Sequence, residues 1–436
     1  MKVSSIATSG VKLLSGLANN EDSLAAMVVK DWIGDGATVY TYKKNGGKDD
    51  AREKAIEEFG TGAIWLFAIP AIKKVIEKTI YPVFKLNPDF DPRLLDKPET
   101  LEKMAKNALG DEKTLFDKLN QSNDVIKGLK NSQMYKAFAV GKFAIATLIA
   151  AWGLTKIIKF KQKTTSDRIK NDKKGKHQNF ASTSSSALVQ NSVNKNKNFE
   201  SFTSSKKNNN ISFTGGLNLA EFMYNPIKNT MILDGVIATT RLKEARKEER
   251  LEVAFKEICQ VVFIYGLAKP IQWTFEKIGD MAKCPIKLDP KNLFDKDLIK
   301  KIADSKDSIE TLEQSSNMID TLVDFAKNKS PLVELLNNEG LISLTKNGNV
   351  SMLKPIDEGA IKKALVNFKE MSAEENIKNL SKIKGFKTFA VIANVLIAAG
   401  IMGIIQPKMT IWLRKKLFGS NENPAIAQQE KEALKA

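Results

Sequence analysis

The sequence predicts a mainly α-helical protein in which one helical unit occurs twice, with apolar helices that are candidates for membrane spans. One small β-hairpin is expected in the second copy. The motif Lys-x-Phe-Ala-Val opens an apolar run at Lys136 and another at Lys387, and lysines follow the end of each run. Hydrophobic residues make up 42% of the 436 residues, which excludes wholesale disorder.

An internal repeat is the strongest pattern in the chain. At an offset of 199 positions, Asp35–Lys78 aligns with Asp234–Lys277 without a gap, and eleven of the forty-four positions are identical. About three identities are expected by chance at ordinary composition. We therefore predict a tandem duplication, with copy one at residues 20–163 and copy two at residues 217–419. Three further blocks follow in the same order: Lys85-Leu-Asn-Pro with Lys287-Leu-Asp-Pro, Leu119–Ile126 with Leu312–Ile319, and the two Phe-Ala-Val runs.

The segment between the copies, residues 164–216, consists mainly of Ser, Asn and Lys. It buries too little apolar surface to offset conformational entropy, which predicts a disordered basic linker. An N-terminal segment, 1–19, and a C-terminal tail, 420–436, flank the copies. Copy two carries an insertion at about residues 322–377, with an Asn-Gly pair at position 347 between two β-prone runs. A two-residue Asn-Gly turn has positive φ at both positions and predicts a β-hairpin.

The excess positive charge is concentrated beyond the two apolar runs. Of the formal net charge of +18, residues 156–216 carry +10 and residues 408–416 carry +4. Nucleic-acid modules usually mix arginines and aromatic residues among their lysines, whereas the longer segment is mainly Lys, Asn and Ser with a few isolated phenylalanines. We therefore expect contact with anionic lipid headgroups, with nucleic acid as the weaker alternative. The residues assigned to this membrane surface are Lys156, Lys159, Lys161, Lys163, Lys408, Arg414, Lys415 and Lys416.

The second apolar run is long enough to cross a bilayer. Thr388–Gln406 has nineteen residues and no charge, close to the ~20 residues that span the hydrocarbon. Its large apolar residues contribute about −3 to −5 kcal/mol of insertion free energy. The first run, Ala137–Ile158, is comparable except for Lys142, which costs up to about 3 kcal/mol at the bilayer centre. The alternative is that both runs are core helices of a soluble bundle, where apolar stripes also occur.

If both helices span the membrane, the lysines that follow them place the C-terminal ends of both helices on the cytoplasmic face. The two helices then run in the same direction, and the chain must recross between them. The available segment is Ile258–Ile278, whose uncharged part, Cys259–Ala268, has only ten residues. That length suits a re-entrant or interfacial segment better than a crossing. The sequence leaves open whether there are no crossings, one or four.

The chain contains no recognisable catalytic, cofactor or metal motif, so an enzyme is not expected. The single histidine, His177, lies in the linker, and Cys259 and Cys284 have neither metal-site nor disulfide-framework spacing. Glu77 and Glu276 occupy equivalent positions in the two copies. They would form a polar pair if a transport path ran between the copies, but a solvated helix face with local ion pairs is the simpler interpretation.

These patterns predict a non-enzymatic, membrane-associated anchor or scaffold at the cytoplasmic face, with anionic lipids as partners. A protein partner or a homo-oligomer is left open. The first residues lack the apolar core of a signal peptide, so no cleavage is expected, and the N-terminus, linker and C-terminal tail are predicted to be cytoplasmic. One alternative is a small transporter or channel with a path between the copies. Another is a soluble helical adaptor that binds nucleic acid or an acidic partner through its linker.

Overall fold

The computed structural model describes residues 2–19, 24–120, 125–180, 226–295 and 297–435, and these residues are predominantly helical, as the sequence predicts. Three helical stretches, residues 48–83, 132–171 and 380–418, are long and apolar enough to cross a membrane. The α-helices are α1 (Lys2–Asn19), α2 (Leu24–Asn45), α3 (Lys48–Ala63), α4 (Ile69–Val83), α5 (Pro98–Asn107), α6 (Gly110–Asn120), α7 (Val125–Phe180), α8 (Pro226–Glu244), α9 (Arg250–Met281), α10 (Pro290–Phe294), α11 (Leu298–Asp304), α12 (Lys306–Gln314), α13 (Met318–Lys327), α14 (Pro331–Asn338), α15 (Glu358–Met371), α16 (Glu374–Lys378), α17 (Leu380–Gly400), α18 (Gln406–Phe418) and α19 (Pro424–Lys435).

Two of the long helical stretches pass through a π-helical turn just before a proline. α3 continues through Ile64–Ala68 into α4, and α17 continues through Ile401–Ile405 into α18. Pro70 and Pro407 each occupy the second position of the helix that follows. Proline lacks the N–H that would bond four residues back, and its ring crowds that carbonyl. A widened turn accommodates both effects, so each stretch stays continuous.

α7 extends beyond the predicted end of copy one. It runs to Phe180, and Thr165 and Ile169 in this extension are buried. The predicted linker, residues 164–216, therefore begins inside a helix, because the first part of it packs against the rest of the protein. Residues 181–225, which hold the remainder of the predicted linker, lie outside the described residues.

The long helices form a bundle, called here the long-helix bundle, which consists of α2, α3–α4, α7, α8, α9 and α17–α18. α2 and α3 meet at a tight turn in which Gly47 has a φ of 107°, a conformation that favours glycine. α2 packs against α17 and α18. Gly403 allows this close approach, because a Cβ there would lie 2.5 Å from the Cβ of Ala37 and 2.7 Å from the carbonyl oxygen of Gly34.

α8 lies along α7 and runs in the same direction. Leu233 and Ala146 belong to one buried cluster. Further along both helices, Ile237 and Ile158 belong to another. α8 therefore begins at the end of the bundle where the apolar run of α7 also begins.

Short helices from both halves of the chain form a second unit, called here the head (residues 84–120 and 282–378). A backbone hydrogen bond from Asp91 N to Leu353 O, 2.8 Å long, crosses between the two halves. The predicted insertion contributes a large part of this unit. The head has a common hydrophobic core, whose fully buried members include Met104, Phe116, Leu336 and Phe368.

The chain reversal predicted at Asn347-Gly348 is present, without a strand on either side in the described residues. Leu344 and Val350 form an isolated antiparallel bridge. Only Gly348 of the Asn-Gly pair has a positive φ, 80°, so the turn is not the two-residue type that the sequence predicts. The bridge encloses residues 345–349, and this longer loop needs a left-handed residue only at the glycine.

α1 docks on the head through a buried polar cluster. Ser15 Oγ donates to Asp289 Oδ2 at 3.0 Å, and Asp289 caps the start of α10. Glu339 Oε1 accepts from Asp289 N and from Asn292 Nδ2, each at 2.8 Å. Burial raises the pKa of the Glu339 carboxyl to about 7, despite these hydrogen bonds.

Replacing Gly403 with alanine should separate α2 from the C-terminal long helix. The added methyl group would overlap backbone atoms of α2, which cannot rotate away, and overpacking of this kind costs about 1–3 kcal/mol. Thermal unfolding of the purified protein in detergent should show a lower midpoint for Gly403→Ala. The matched control is Gly400→Ala, where a Cβ would meet nothing within 4 Å. Equal midpoints for the two variants would contradict the close approach of α2.

Glu339 should make the stability of the head depend on pH. Its folded-state pKa of about 7 lies above the ordinary value of 4.5, so the folded state binds the proton more tightly. Its contribution is complete below pH 4.5 and is lost as pH rises through 7, by at most about 3 kcal/mol. Glu339→Gln should remove this part of the pH dependence of chemical unfolding. Glu310→Gln, at an exposed position, should leave it intact.

Candidate functional site

Thirteen charged side chains meet at one end of the long-helix bundle, and we call this set the charged layer. They come from α3, the last part of α7, the end of α8 and the turn after it, the start of α9, and α18. Most are buried, and the cations and carboxylates are nearly balanced in number. Its carboxylates are Asp50, Glu53, Glu57, Glu58, Glu249, Glu252 and Glu257, and its cations are Lys54, Lys161, Arg241, Arg246, Lys256 and Arg414.

Arg414 is a completely buried arginine held between the two halves of the chain. Its Nη1 donates to Asp50 Oδ2 at 2.6 Å, and its Nε and Nη2 donate to the two oxygens of Glu252 at 2.9 and 2.6 Å. The guanidinium also lies 5.7 Å from the ring centre of Tyr42, and the Lys54 ammonium lies 5.1 Å from the same ring. A forked, planar cation suits such a two-carboxylate site better than a lysine would.

Arg241 is the centre of a second group. It approaches Glu57 at 3.3 Å and Glu257 at 2.8 Å, and its Nη2 donates to Thr61 Oγ1 at 3.0 Å. Lys161 Nζ reaches Glu57 at 2.5 Å, so α7 is tied to the same group.

Arg246 completes the layer on its outer side. Its Nη2 contacts Glu53 at 2.6 Å, and its Nη1 contacts Glu249 at 3.3 Å. Asn423, just before α19, donates to Glu249 at 2.7 Å. The C-terminal helix is thereby attached to the charged layer.

The structure divides the eight predicted membrane-surface residues into two groups. Lys161 and Arg414 are buried in the charged layer and are not available to headgroups. The reason is that each faces carboxylates of neighbouring helices, which composition alone does not reveal. The other six, Lys156, Lys159, Lys163, Lys408, Lys415 and Lys416, are exposed.

The predicted polar pair is not brought together by a contact in the described structure. Glu77 forms an ion pair with Lys142 at 2.7 Å. Glu276 accepts a hydrogen bond from Gln272 at 2.9 Å within its own helix. Each carboxylate therefore has a partner in its own half of the chain.

Sequence reasoning missed the charged layer, although part of its signal was visible. Glu53 and Glu252 are identical residues at the offset of 199, and so are Glu58 and Glu257. Each lies on a helix that then becomes apolar. The cations that hold them lie far away in the chain, so the sequence offered no pattern that joins the two sets.

The contacts of the charged layer pair carboxylates with cations and hold helices together. The described residues contain no group of three or more His, Cys, Asp or Glu side chains arranged to hold a metal ion. Cys259 and Cys284 are buried free thiols. Comparison with protein-family models, curated proteins and solved structures finds no match to the chain.

Removing the guanidinium of Arg414 should strongly destabilise the bundle. Arg414→Met would leave Asp50 and Glu252 buried without their cation, and breaking a buried pair in this way costs about 3–5 kcal/mol. The measurement is thermal unfolding in detergent, with Lys415→Met as an exposed control of the same sequence neighbourhood. The triple variant with Asp50→Asn, Glu252→Gln and Arg414→Met should recover most of the loss. If Arg414→Met and Lys415→Met unfold at the same temperature, Arg414 does not hold the halves together.

Proposed function

We propose that this protein is an integral membrane anchor or scaffold, with the long-helix bundle in the bilayer and the head outside it. Two ion pairs between the same two helical stretches carry the proposal. Glu57–Lys161 and Glu77–Lys142 both join α3–α4 to α7. The members of the two pairs are twenty and nineteen residues apart, or about 28–30 Å along a helix. This matches the thickness of a bilayer's hydrocarbon core.

The surface of the bundle between these pairs supports a lipid environment. Leu148 and Trp152 on α7 are 70% and 65% exposed, and Phe389 and Leu396 on α17 are 60% and 57% exposed. The same bundle buries its charged layer. In water, apolar side chains turn inward and charges turn outward. An arrangement with the opposite preference is stable where the surroundings are apolar and the charges are paired inside.

The contacts of the charged layer support the proposed duplication. Asp50 and Glu252 hold Arg414, whereas Glu249 and Glu53 hold Arg246. At the offset of 199, Asp50 corresponds to Glu249 and Glu53 corresponds to Glu252. The two arginine sites therefore use equivalent carboxylates from opposite copies, as a two-fold relation between the copies requires.

The charge distribution favours one orientation. The exposed lysines that follow the apolar runs of α7 and α17–α18 lie on the side of the charged layer, and the segments that carry them are strongly basic. The head has 22 Lys and Arg against 24 Asp and Glu. Positive residues near spans stay cytoplasmic, whereas a large neutral domain does not oppose translocation. We infer that the charged layer faces the cytoplasm and that the head lies on the opposite face.

This orientation differs from the sequence-based prediction for the N-terminus. α1 contacts the head, whereas α19 contacts the charged layer. In a spanning bundle the two ends of the chain therefore lie on opposite faces.

An anchor fits these contacts better than a transporter. The transport hypothesis needs Glu77 and Glu276 to line a shared path, and each has a partner within its own half. The soluble adaptor hypothesis needs the apolar exterior of the bundle to be covered by something other than lipid.

Membrane fractionation tests the anchor proposal. After extraction of membranes with alkaline carbonate, the full-length protein should stay in the pellet and should need detergent for release, because its apolar exterior is solvated by lipid. A peripheral protein and a known integral protein in the same membranes serve as controls. Release by carbonate without detergent would contradict both the anchor and the transporter hypotheses.

Cysteine labelling tests the orientation. Lys346→Cys, in the head, and Gln428→Cys, on α19, both alter exposed residues. A membrane-impermeant maleimide should label the first from outside intact cells and the second only after the membrane is opened. Lys12→Cys on α1 should behave like the head variant. The unaltered chain, whose two cysteines are buried, is the blank. Labelling of both variants from the same side would overturn the two-faced arrangement.

A further inference from the structure

Two exposed tryptophans carry a lysine ammonium over the ring, one on α9 and one on α18. Trp273 and Lys277 are four residues apart, with the ammonium 4.9 Å from the ring centre. Trp412 and Lys416 have the same spacing, at 5.2 Å. The rings are 60% and 59% exposed. An exposed indole with a cation over its ring presents an apolar surface and a positive charge on one helix face.

The two pairs lie at opposite ends of the bundle. Gln406 Nε2 donates to Lys256 O at 3.0 Å, and Arg414 pairs with Glu252, so α18 and α9 are antiparallel neighbours. These two contacts fix the position of one helix relative to the other along the bundle axis. Trp273 follows Lys256 by seventeen residues, about 26 Å along α9. Trp412 follows Gln406 by six residues, about 9 Å in the other direction. The two rings are thus about 35 Å apart along the bundle axis, slightly more than the hydrocarbon thickness.

We propose that these pairs bind phospholipid headgroups, Trp412–Lys416 on the face of the charged layer and Trp273–Lys277 on the face of the head. This inference rests on the proposed membrane function and adds to it. The indole lies at the glycerol level, and the ammonium pairs with a lipid phosphate. It also makes α9 a crossing helix, although α9 is not among the three stretches that are apolar enough to be recognised by composition.

The buried start of α9 explains why its amino-acid composition does not identify it as a membrane-crossing helix. Glu252, Lys256 and Glu257 lower the apolar character of the helix, but they are paired inside the charged layer and do not face lipid. Beyond them, Ile258 and Val262 are 64% and 54% exposed. Among the α9 residues whose side chains the structure describes, every exposed one from Ile258 to Trp273 is uncharged.

A third pair in the same chain serves as an internal control. Lys156 lies 5.6 Å from the ring centre of Trp152, and that ring is 65% exposed. Trp152 precedes Lys161 by nine residues, so it lies about 13 Å from the charged layer toward the bilayer interior. The same Trp-x-x-x-Lys pattern should therefore occur at two depths, with Trp152 in the bilayer interior and Trp273 and Trp412 at its two surfaces.

Fluorescence quenching by brominated phospholipids measures these depths. Three full-length variants are reconstituted into phosphatidylcholine vesicles, each keeping Trp152, Trp273 or Trp412 and carrying phenylalanine at the other tryptophan positions. Lipids brominated near the glycerol should quench Trp273 and Trp412 more than lipids brominated at mid-chain do. The order should be reversed for Trp152.

The outcomes separate this inference from the proposed function. If Trp152 is quenched but Trp273 is quenched most at mid-chain or not at all, the bundle is in the membrane and the headgroup assignment is wrong. If no tryptophan is quenched, the membrane function fails as well. Where a multiple variant does not fold, spin labels are attached at Lys156→Cys, Lys277→Cys and Lys416→Cys in the otherwise unaltered chain. The accessibility of each label to oxygen and to a water-soluble relaxant then gives its depth, and the same order of depths is expected.

Discussion

The pairing of buried arginines with carboxylates from both halves is the interaction on which the rest of the structure depends. A lone buried charge is strongly unfavourable, so Asp50 and Glu252 each require Arg414, and Arg414 requires both. Asp50 lies on α3, Glu252 on α9 and Arg414 on α18. Because Asp50 belongs to the first half and Glu252 and Arg414 to the second, the three charges are paired only when the two halves pack together. A buried ion pair adds little net stability over apolar packing, but any other registry of these helices would leave charges unpaired. The layer therefore specifies the arrangement more than it strengthens it.

The head and the long-helix bundle differ in which side chains they bury. The core of the head is apolar and fully buried, as with Phe116 and Phe368, and most of its charged side chains are exposed or partly exposed. The long-helix bundle pairs its charges inside and exposes Leu148 and Phe389. One solvent cannot favour both arrangements, because the hydrophobic effect acts on every exposed apolar side chain in water. The proposed membrane location resolves the conflict, because a bilayer beside an aqueous phase supplies two different surroundings along one chain.

The helices and the apolar runs were predictable from the sequence because they depend on local pattern. Thr388–Gln406 has no charge, and its helix needs no distant partner to be recognised. The charged layer was not predictable, because a carboxylate such as Glu57 on a charged helix resembles a solvated one until its partner is known. Lys161 and Lys159 are two positions apart, yet one is buried and the other exposed. The side on which a lysine faces depends on α3 and α8, which lie elsewhere in the chain. The helical continuation of α7 past residue 164 has the same tertiary origin.

The two proposed copies contribute different charged residues to the charged layer, so one copy could not replace the other. The carboxylates at the two arginine sites correspond at the offset of 199, but the arginines do not, since Arg246 precedes α9 and Arg414 lies at the end of the last long helix. Glu57 and Lys256 also correspond in position, and they have opposite charge and lie 3.7 Å apart. Two identical copies would place like charges together there, at a cost that grows in a low-dielectric interior. An assembly of two first copies would therefore lack both arginines and would face glutamate with glutamate. The two halves are therefore complementary parts of one bundle and are not interchangeable.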